Sequence, residues 1–305
     1  MGKVAFVFPG QGAQYVGMGK ELYSGSKDLM DSANVALGVS LTDIMFEGPV
    51  DSLKQTDITQ PAIFLHSIVL LQKIKSIKPD MVAGHSLGEY SALVAADSID
   101  PIDALKLVRT RGQAMLQSGI DQPGTMAAII GLSPDKVEDI CSSASSAGIV
   151  QCANFNSPGQ IVISGSVDGV REAMSIAKEN GAKLVKELVV SGAFHSPLMS
   201  GAKEKLQDKL NKTKINDASV PVYTNVTAKP VTQASDISKL LFDQLSSPVR
   251  WEESIQNMIS DGATEFVEIG PGKVLQGLIK RINKDVKIWG IDKLEDLDQL
   301  TNLGK

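Results

Sequence analysis

A serine stands between two glycines in GHSLGEY, residues 84–90, directly after the apolar run MVA. A strand, a sharp turn with little side-chain bulk and then a helix make a nucleophile elbow, which lifts a serine oxygen clear of a sheet. The helical stretch that follows, GEYSALVAA, offers free backbone N–H groups at its start, and that of Leu87 is placed to stabilise a developing oxyanion. The same residues also suit an ordinary glycine-rich strand-to-helix turn, so both readings of Ser86 stand at this point. A serine hydroxyl needs a base to take its proton, and the chain has three histidines. His66 lies inside an apolar helical pattern and reads as a core residue. His85 adjoins Ser86, where neighbouring side chains point apart, so it is expected to brace the elbow. His195, in the loop GAFHSPLM, remains as the base. No Asp or Glu stands out as a third member of a triad. A backbone carbonyl can also hold an imidazole and fix its tautomer, and the sequence does not select which one.

The helix pattern PIDALKLVRTRGQAM, residues 101–115, adds two arginines. Arg111 shares a face with Ala104, Leu107, Val108 and Met115, whereas Arg109 lies with Lys106 and Gln113 and reaches water more easily. A guanidinium in an apolar stripe requires a partner, because a buried unpaired charge is costly. An acidic side chain is one such partner. A substrate carboxylate is the other, bound by two N–H groups of the planar fork.

The elements that position these residues follow from the apolar pattern. VAFVF (residues 4–8) and MVAGH (81–85) are continuous apolar runs ending in glycine-bearing loops, as buried parallel strands do. Strands and helices alternate in the manner of an α/β sheet covered on both faces, where ligands collect outside the carboxyl ends of the strands. The loops PGQG and HSLG can meet there. Asp100 caps the helix that Pro101 begins. From Thr125 the order is strand TMAAIIGL, helix PDKVEDICSSAS capped by Ser133, strands IVQCANF and QIVISGS joined by the turn NSPGQ, helix DGVREAMSIAKENG and strand AKLVKELVV. That β-α-β-β-α-β order is ferredoxin-like. The expected organisation is therefore a larger α/β domain, residues 1–122 and 192–305, with a small domain of residues 123–191 set into it. VPVYTNV, TEFVEIG and VKIWGI supply further strands of the larger part.

Composition narrows the function. The chain has 305 residues, 43% of them hydrophobic, enough for a large core, and its net charge of −5 gives no basic footprint for nucleic acid. MGKVAFVFPG reads as a first strand rather than a signal peptide, and AIFLHSIVLLQKI is too short and interrupted to span a bilayer. The two cysteines, Cys141 and Cys152, give neither a disulfide framework nor a zinc spacing. The expectation is a soluble cytoplasmic protein.

Together the motifs resemble malonyl-CoA:acyl-carrier-protein transacylases. The likeness rests on FVFPGQGAQYVGMG, TQPAIF, GHSLGEYSAL, RGQAM, NFNSPGQIVISG, AFHSPLM, SPVRW and EIGPGKVLQGLIKRI, in order from residue 6 to beyond residue 280. The resemblance implies an α/β-hydrolase-like large domain with a ferredoxin-like insert. It also implies roles: Ser86 as acyl-accepting nucleophile, His195 as base, and the N–H groups of Gln11 and Leu87 as oxyanion hole. Arg111 would bind the malonyl carboxylate, and the main-chain carbonyl of Gln244 would orient His195. Phe194, directly before the histidine, favours malonyl over methylmalonyl. No metal or redox cofactor is implied, and the partners are malonyl-CoA and acyl carrier protein, with no membrane and no nucleic acid. The carrier is typically acidic, so KRINK (residues 280–284), with Lys273 nearby, is either its docking patch or an ordinary solvated helix face. A serine hydrolase using the same elbow, and a docking module that has lost its chemistry, are the rival readings.

Overall fold

The apolar runs of the first third are strands with both faces covered. In the computed structural model, which describes residues 2–74 and 77–303, β1 (Lys3–Phe8) is buried from Ala5 to Phe8. The remaining strands are β2 (Met81–Gly84), β3 (Gly124–Ile130), β4 (Val150–Ser157), β5 (Gln160–Ser166), β6 (Leu184–Glu187), β7 (Val222–Tyr223), β8 (Pro230–Val231), β9 (Ala263–Ile269) and β10 (Lys287–Ile291). They form two sheets, ordered β10-β9-β1-β2-β7-β8 and β4-β5-β3-β6. The first is parallel except for β8, and the second is antiparallel throughout. The second sheet has the ferredoxin-like strand order, and all its strands lie between residues 124 and 187.

Helices cover each sheet because their apolar stripes have nowhere else to go. Thr56–Lys73, Gly88–Ala95 and Pro101–Asp121 pack one face of the parallel sheet around Phe6, Phe8, Phe64 and Tyr90. Trp251–Ser260 and Val274–Ile282 close the other face around Val7, Trp251 and Phe266. Pro134–Ser143 and Val167–Glu179 pack against the antiparallel sheet with a core of their own, including Ile129, Ile140 and Val170. Backbone hydrogen bonds join the antiparallel sheet to the larger part at Val249: Phe155 N–H donates to the Val249 carbonyl at 2.9 Å, and Val249 N–H donates to that of Ala153 at 2.8 Å.

Local sequence signals explain most boundaries. Asp100 Oδ1 accepts from the N–H of Ile102 at 2.8 Å and of Asp103 at 3.2 Å, the expected cap. The turn in NSPGQ closes the β4–β5 hairpin with Ser157 opposite Gln160 and Gly159 at φ 69°. Three expectations are corrected. Ser133 precedes the helix Pro134–Ser143 but makes no side-chain cap; Pro134 at the first helical position already lacks one of the N–H groups a cap would serve. Only Val222–Tyr223 of VPVYTNV is strand, because the chain turns back at Thr224, whose carbonyl accepts from Ala228 N–H at 2.9 Å. Likewise AKLVKELVV is strand only over Leu184–Glu187; after a last backbone bond from Leu188 N–H to the Met126 carbonyl at 2.8 Å the chain leaves the sheet edge and Val189 is fully exposed. The helix Thr56–Lys73 also begins earlier than its apolar run and passes through Pro61. Proline cannot donate to the carbonyl of Asp57 four residues back, and Arg109 Nη1 donates to that carbonyl instead. Among the described residues no helix is long and apolar enough to cross a membrane.

Candidate active site

β1 and β2 end side by side, and their loops fold over one another. His85 N–H donates to the Phe8 carbonyl at 3.0 Å, which brings the PGQG loop against the elbow. The elbow needs its glycines for space. A Cβ on Gly84 would stand 1.9 Å from the Gly88 carbonyl carbon, and one on Gly88 would stand 2.0 Å from the Phe8 oxygen. Between them Ser86 is held at φ 51°, a left-handed conformation costing a non-glycine residue about 1–3 kcal/mol. His195 sits at φ 58° in its own loop. Two hydrogen bonds hold the Ser86 backbone there: its N–H donates to Asn225 Oδ1 at 2.6 Å, and its carbonyl accepts from Gln244 Nε2 at 3.1 Å.

The Ser86 hydroxyl lies 2.8 Å from His195 Nε2 and 3.0 Å from Arg111 Nη2. His195 Nδ1 lies 2.9 Å from the main-chain oxygen of Gln244. That bond makes Nδ1 the protonated nitrogen and leaves the Nε2 lone pair facing Ser86, the tautomer a base requires. Burial, followed by the Arg111 cation, pushes the imidazole down to about 3, so it is neutral at ordinary pH. Among the described residues no carboxylate is hydrogen-bonded to it. The carbonyl of His195 is held in turn by Gln151 Nε2 at 2.8 Å, so the antiparallel sheet supports this loop.

Arg111 is 1% exposed and forms no salt bridge among the described residues. Its Nη1 donates to Gln60 Oε1 at 2.7 Å and its Nη2 to Gln244 Oε1 at 2.9 Å, while its buried Nε has no hydrogen-bond partner. The salt bridge open to either arginine in the sequence belongs to Arg109, which meets Asp57 Oδ2 at 3.0 Å. A guanidinium held by neutral amides keeps its full charge and can attract an anion into the cavity.

The cavity above Ser86 encloses about 900 Å³ and is lined by Gln11, Leu87, Arg111, Phe194 and His195 as well as the serine. Every residue expected at the site except Gln244 therefore faces one space, and Gln244 stands directly behind it. His85 braces the elbow as expected, with Nε2 2.8 Å from Asn156 Oδ1 and its ring 5.6 Å from that of Trp251. His66 is fully buried in its helix. Lys280 and Arg281 are exposed: Lys280 donates to the Lys284 carbonyl at 2.7 Å, and Arg281 to Gln160 Oε1, at the cavity edge, at 2.5 Å.

Sequence reasoning missed Gln60, Glu89 and Asn225. Glu89 left one trace, an acid in the otherwise apolar stretch GEYSALVAA. Gln60, inside TQPAIF, and Asn225, inside VPVYTNV, were given no role, since a lone amide in a helix or loop is unremarkable until its partners are placed. Among the described residues no group of three or more His, Cys, Asp or Glu is arranged to hold a metal ion.

Comparison with known proteins is consistent along the chain. Residues 5–298 match the model of the acyl transferase domain. A malonyl CoA-acyl carrier protein transacylase of Bacillus subtilis is 48% identical over 304 residues, which span 98% of this chain and 96% of that protein. The crystal structure of a malonyl CoA-acyl carrier protein transacylase from Clostridium perfringens superposes with a TM-score of 0.93 at 39% identity, covering 98% of this chain and 96% of that one. A malonyl-transacylase solved in complex with its type II PKS acyl-carrier protein gives a TM-score of 0.94 at 36% identity, over 97% of this chain and 98% of its own.

Proposed function

We propose, for a chain that belongs to the acyl transferase family, that Ser86 and His195 carry a malonyl group from malonyl-CoA to the pantetheine thiol of acyl carrier protein. The observation that supports this most directly is the Ser86 hydroxyl, shared between a neutral imidazole at 2.8 Å and a buried guanidinium at 3.0 Å. One neighbour removes a proton; the other reads a carboxylate on whatever acyl group the serine accepts.

In the first half-reaction Ser86 Oγ attacks the thioester carbonyl carbon and passes its proton to His195 Nε2. The oxyanion is stabilised by the backbone N–H groups of Gln11 and Leu87. The C–S bond then breaks, and the CoA sulfur leaves with the proton from His195. In the second half, the carrier thiol gives its proton to His195 and attacks the malonyl-serine carbonyl. The ester C–O bond breaks and Ser86 Oγ recovers the proton. The imidazolium formed in each half faces the Gln244 carbonyl, which accepts from Nδ1–H and fills the place of a triad acid. The malonyl carboxylate takes the Arg111 Nη2–H that meets the Ser86 hydroxyl, which anchors the far end of the ester. Phe194 limits the space for a branch methyl, favouring malonyl over methylmalonyl.

The reaction requires no cofactor held by this chain, since both substrates bring their own pantetheine. Residues 123–191 form the inserted small domain, residues 1–122 and 192–305 the larger one, and the protein works in the cytoplasm, where it supplies fatty-acid synthesis.

Intact-protein mass spectrometry after addition of malonyl-CoA, followed by a chase with pantetheinylated carrier protein, tests this reading. The expected result is a malonyl adduct on Ser86 that survives in water and moves to the carrier. An adduct that decays to malonate at the same rate with or without carrier would make the protein a hydrolase. No adduct would turn the search to other acyl groups and then to a docking role.

A further inference from the structure

The polar groups beneath the elbow converge on one carboxylate that the reaction itself does not use. Glu89 is 1% exposed and lies one helical turn after Ser86. Its Oε2 accepts from the backbone N–H of Asn225 at 2.8 Å and from Gln244 Nε2 at 3.0 Å. Both partners lead back to the reacting groups. Asn225 grips the elbow from two sides, with Oδ1 accepting from Ser86 N–H at 2.6 Å and Nδ2 donating to the Gly84 carbonyl at 2.6 Å. Gln244 presents Oε1 to Arg111 and its main-chain oxygen to His195.

The side chain of Gln244 has two faces, and its neighbours dictate which way each points. Arg111 offers only N–H donors, so the amide oxygen must face it; Glu89 Oε2, which also accepts from Asn225 N–H, presents an acceptor, so the amide nitrogen must face it. A reversed amide would set donor against donor and oxygen against oxygen in a place closed to water, where unmatched polar groups cost about 1–3 kcal/mol each. Without an acceptor at Glu89 the nitrogen loses its shortest anchor, keeps the Ser86 carbonyl at 3.1 Å, and the reversed state loses part of its penalty. Arg111 would then lose the acceptor that holds Nη2.

We infer that Glu89 is a positioning residue that, through the Gln244 amide, aims the Arg111 guanidinium at the acyl carboxylate and so sets the preference for carboxylated acyl groups. This rests on the reading of Ser86, His195 and Arg111 given above. Glu89 touches no reacting atom, and its place as an acceptor, not its bulk, is what matters. The distinction is testable because glutamine at this position keeps an oxygen that can accept both bonds, whereas alanine keeps none.

The experiment compares wild type with Glu89→Ala, Glu89→Asp, Glu89→Gln, Arg111→Ala and Glu268→Ala, each checked for folding by thermal melting. Glu268 is a second buried carboxylate, holding the N–H groups of Leu275 at 3.0 Å and Gln276 at 3.1 Å, and no hydrogen bond joins it to Arg111 or Gln244. The readout is the ratio of malonyl to acetyl transfer onto Ser86 in direct competition. The ratio should fall by about tenfold in Glu89→Ala, the value of one charge-assisted hydrogen bond, and in the shortened Glu89→Asp. It should recover to within about threefold of wild type in Glu89→Gln, since the acceptor is kept. Glu268→Ala should melt earlier with an unchanged ratio. An unchanged ratio in Glu89→Ala, while Arg111→Ala shifts it, overturns the inference; if Glu89→Ala does not fold, the same result in Glu89→Asp overturns it. A Glu89→Gln ratio as low as that of alanine also overturns it, because charge or packing would then be the cause. An unchanged ratio in Arg111→Ala would instead bring down the function reading beneath it.

Discussion

The floor and the rim of the cavity are built on different principles. At the floor, Arg111, Gln244, Glu89, Asn225 and His195 are all at most 3% exposed, and each is tied to at least one of the others or to Ser86 by hydrogen bonds. At the rim, Val189 and Val274 are 105% and 52% exposed, and the exposed Lys54 side chain meets Asp51 at 3.9 Å. Chemistry demands placement to a fraction of an ångström, and only interlocked partners in a low-dielectric space supply it. Admission of a long, flexible pantetheine arm demands far less. Substitutions at the floor should therefore change which reaction occurs, and those at the rim only how readily the substrate arrives.

The sharpest break should come at the nucleophile. Ser86→Ala should abolish the malonyl adduct, and His195→Ala should slow its formation by about 10³-fold or more, measured by rapid-quench labelling. Retained labelling in Ser86→Ala would move the nucleophile elsewhere. Next comes the scaffold that lets floor and sheet meet. Gly88→Ala places a methyl 2.0 Å from the Phe8 oxygen and should cost more than about 3 kcal/mol in urea denaturation. Then the reader of the acyl group: Arg111→Ala should lower malonyl relative to acetyl transfer by about 10- to 100-fold, the loss of about 1.5–3 kcal/mol from a hydrogen-bonded charge. Equal losses for both acyl groups would make Arg111 structural.

A smaller effect concerns pH. The His195 imidazole is pushed down to about 3 by burial and by Arg111, so its basic form persists as pH falls and is lost only on approach to that value. Malonylation should thus show no inflection at about 6.5, where an ordinary histidine protonates. The measurement belongs in Glu89→Gln, because burial raises the Glu89 carboxyl to about 7 and its titration would otherwise overlap. An inflection near the ordinary value would mean that water reaches the floor. The smallest effect is expected outside the cavity. Reversing the charges of Lys280 and Arg281 should raise KM for carrier protein a few-fold and leave that for malonyl-CoA unchanged; unaltered carrier kinetics would free this helix face of any docking role.

The same contrast explains what a sequence can disclose. AFVF and MVA announce buried parallel strands because their apolar runs are short and end in glycine-bearing loops. Ser86 follows from its glycines, and His195 follows from eliminating the other two histidines. Arg111 was separable from Arg109 by helical face, and the structure adds that Asp57 takes Arg109 and leaves Arg111 to amides. Gln60, Glu89 and Asn225 stayed hidden because they come from separate stretches, and spacing along a chain says nothing of distance across a core. VPVYTNV overran its strand for a related reason, since apolar content sets burial while the turn at Thr224 sets length.

The most direct test of a floor that reads the acyl carboxylate is to see the acyl-serine itself. Crystals of the wild-type protein soaked briefly in malonyl-CoA and flash-cooled should show malonyl on Ser86 Oγ. Its carboxylate should lie within hydrogen-bond distance of the Arg111 guanidinium, whose Nη2 meets the Ser86 hydroxyl. A carboxylate turned toward the cavity mouth, with Arg111 still bound only to Gln60 and Gln244, would contradict it.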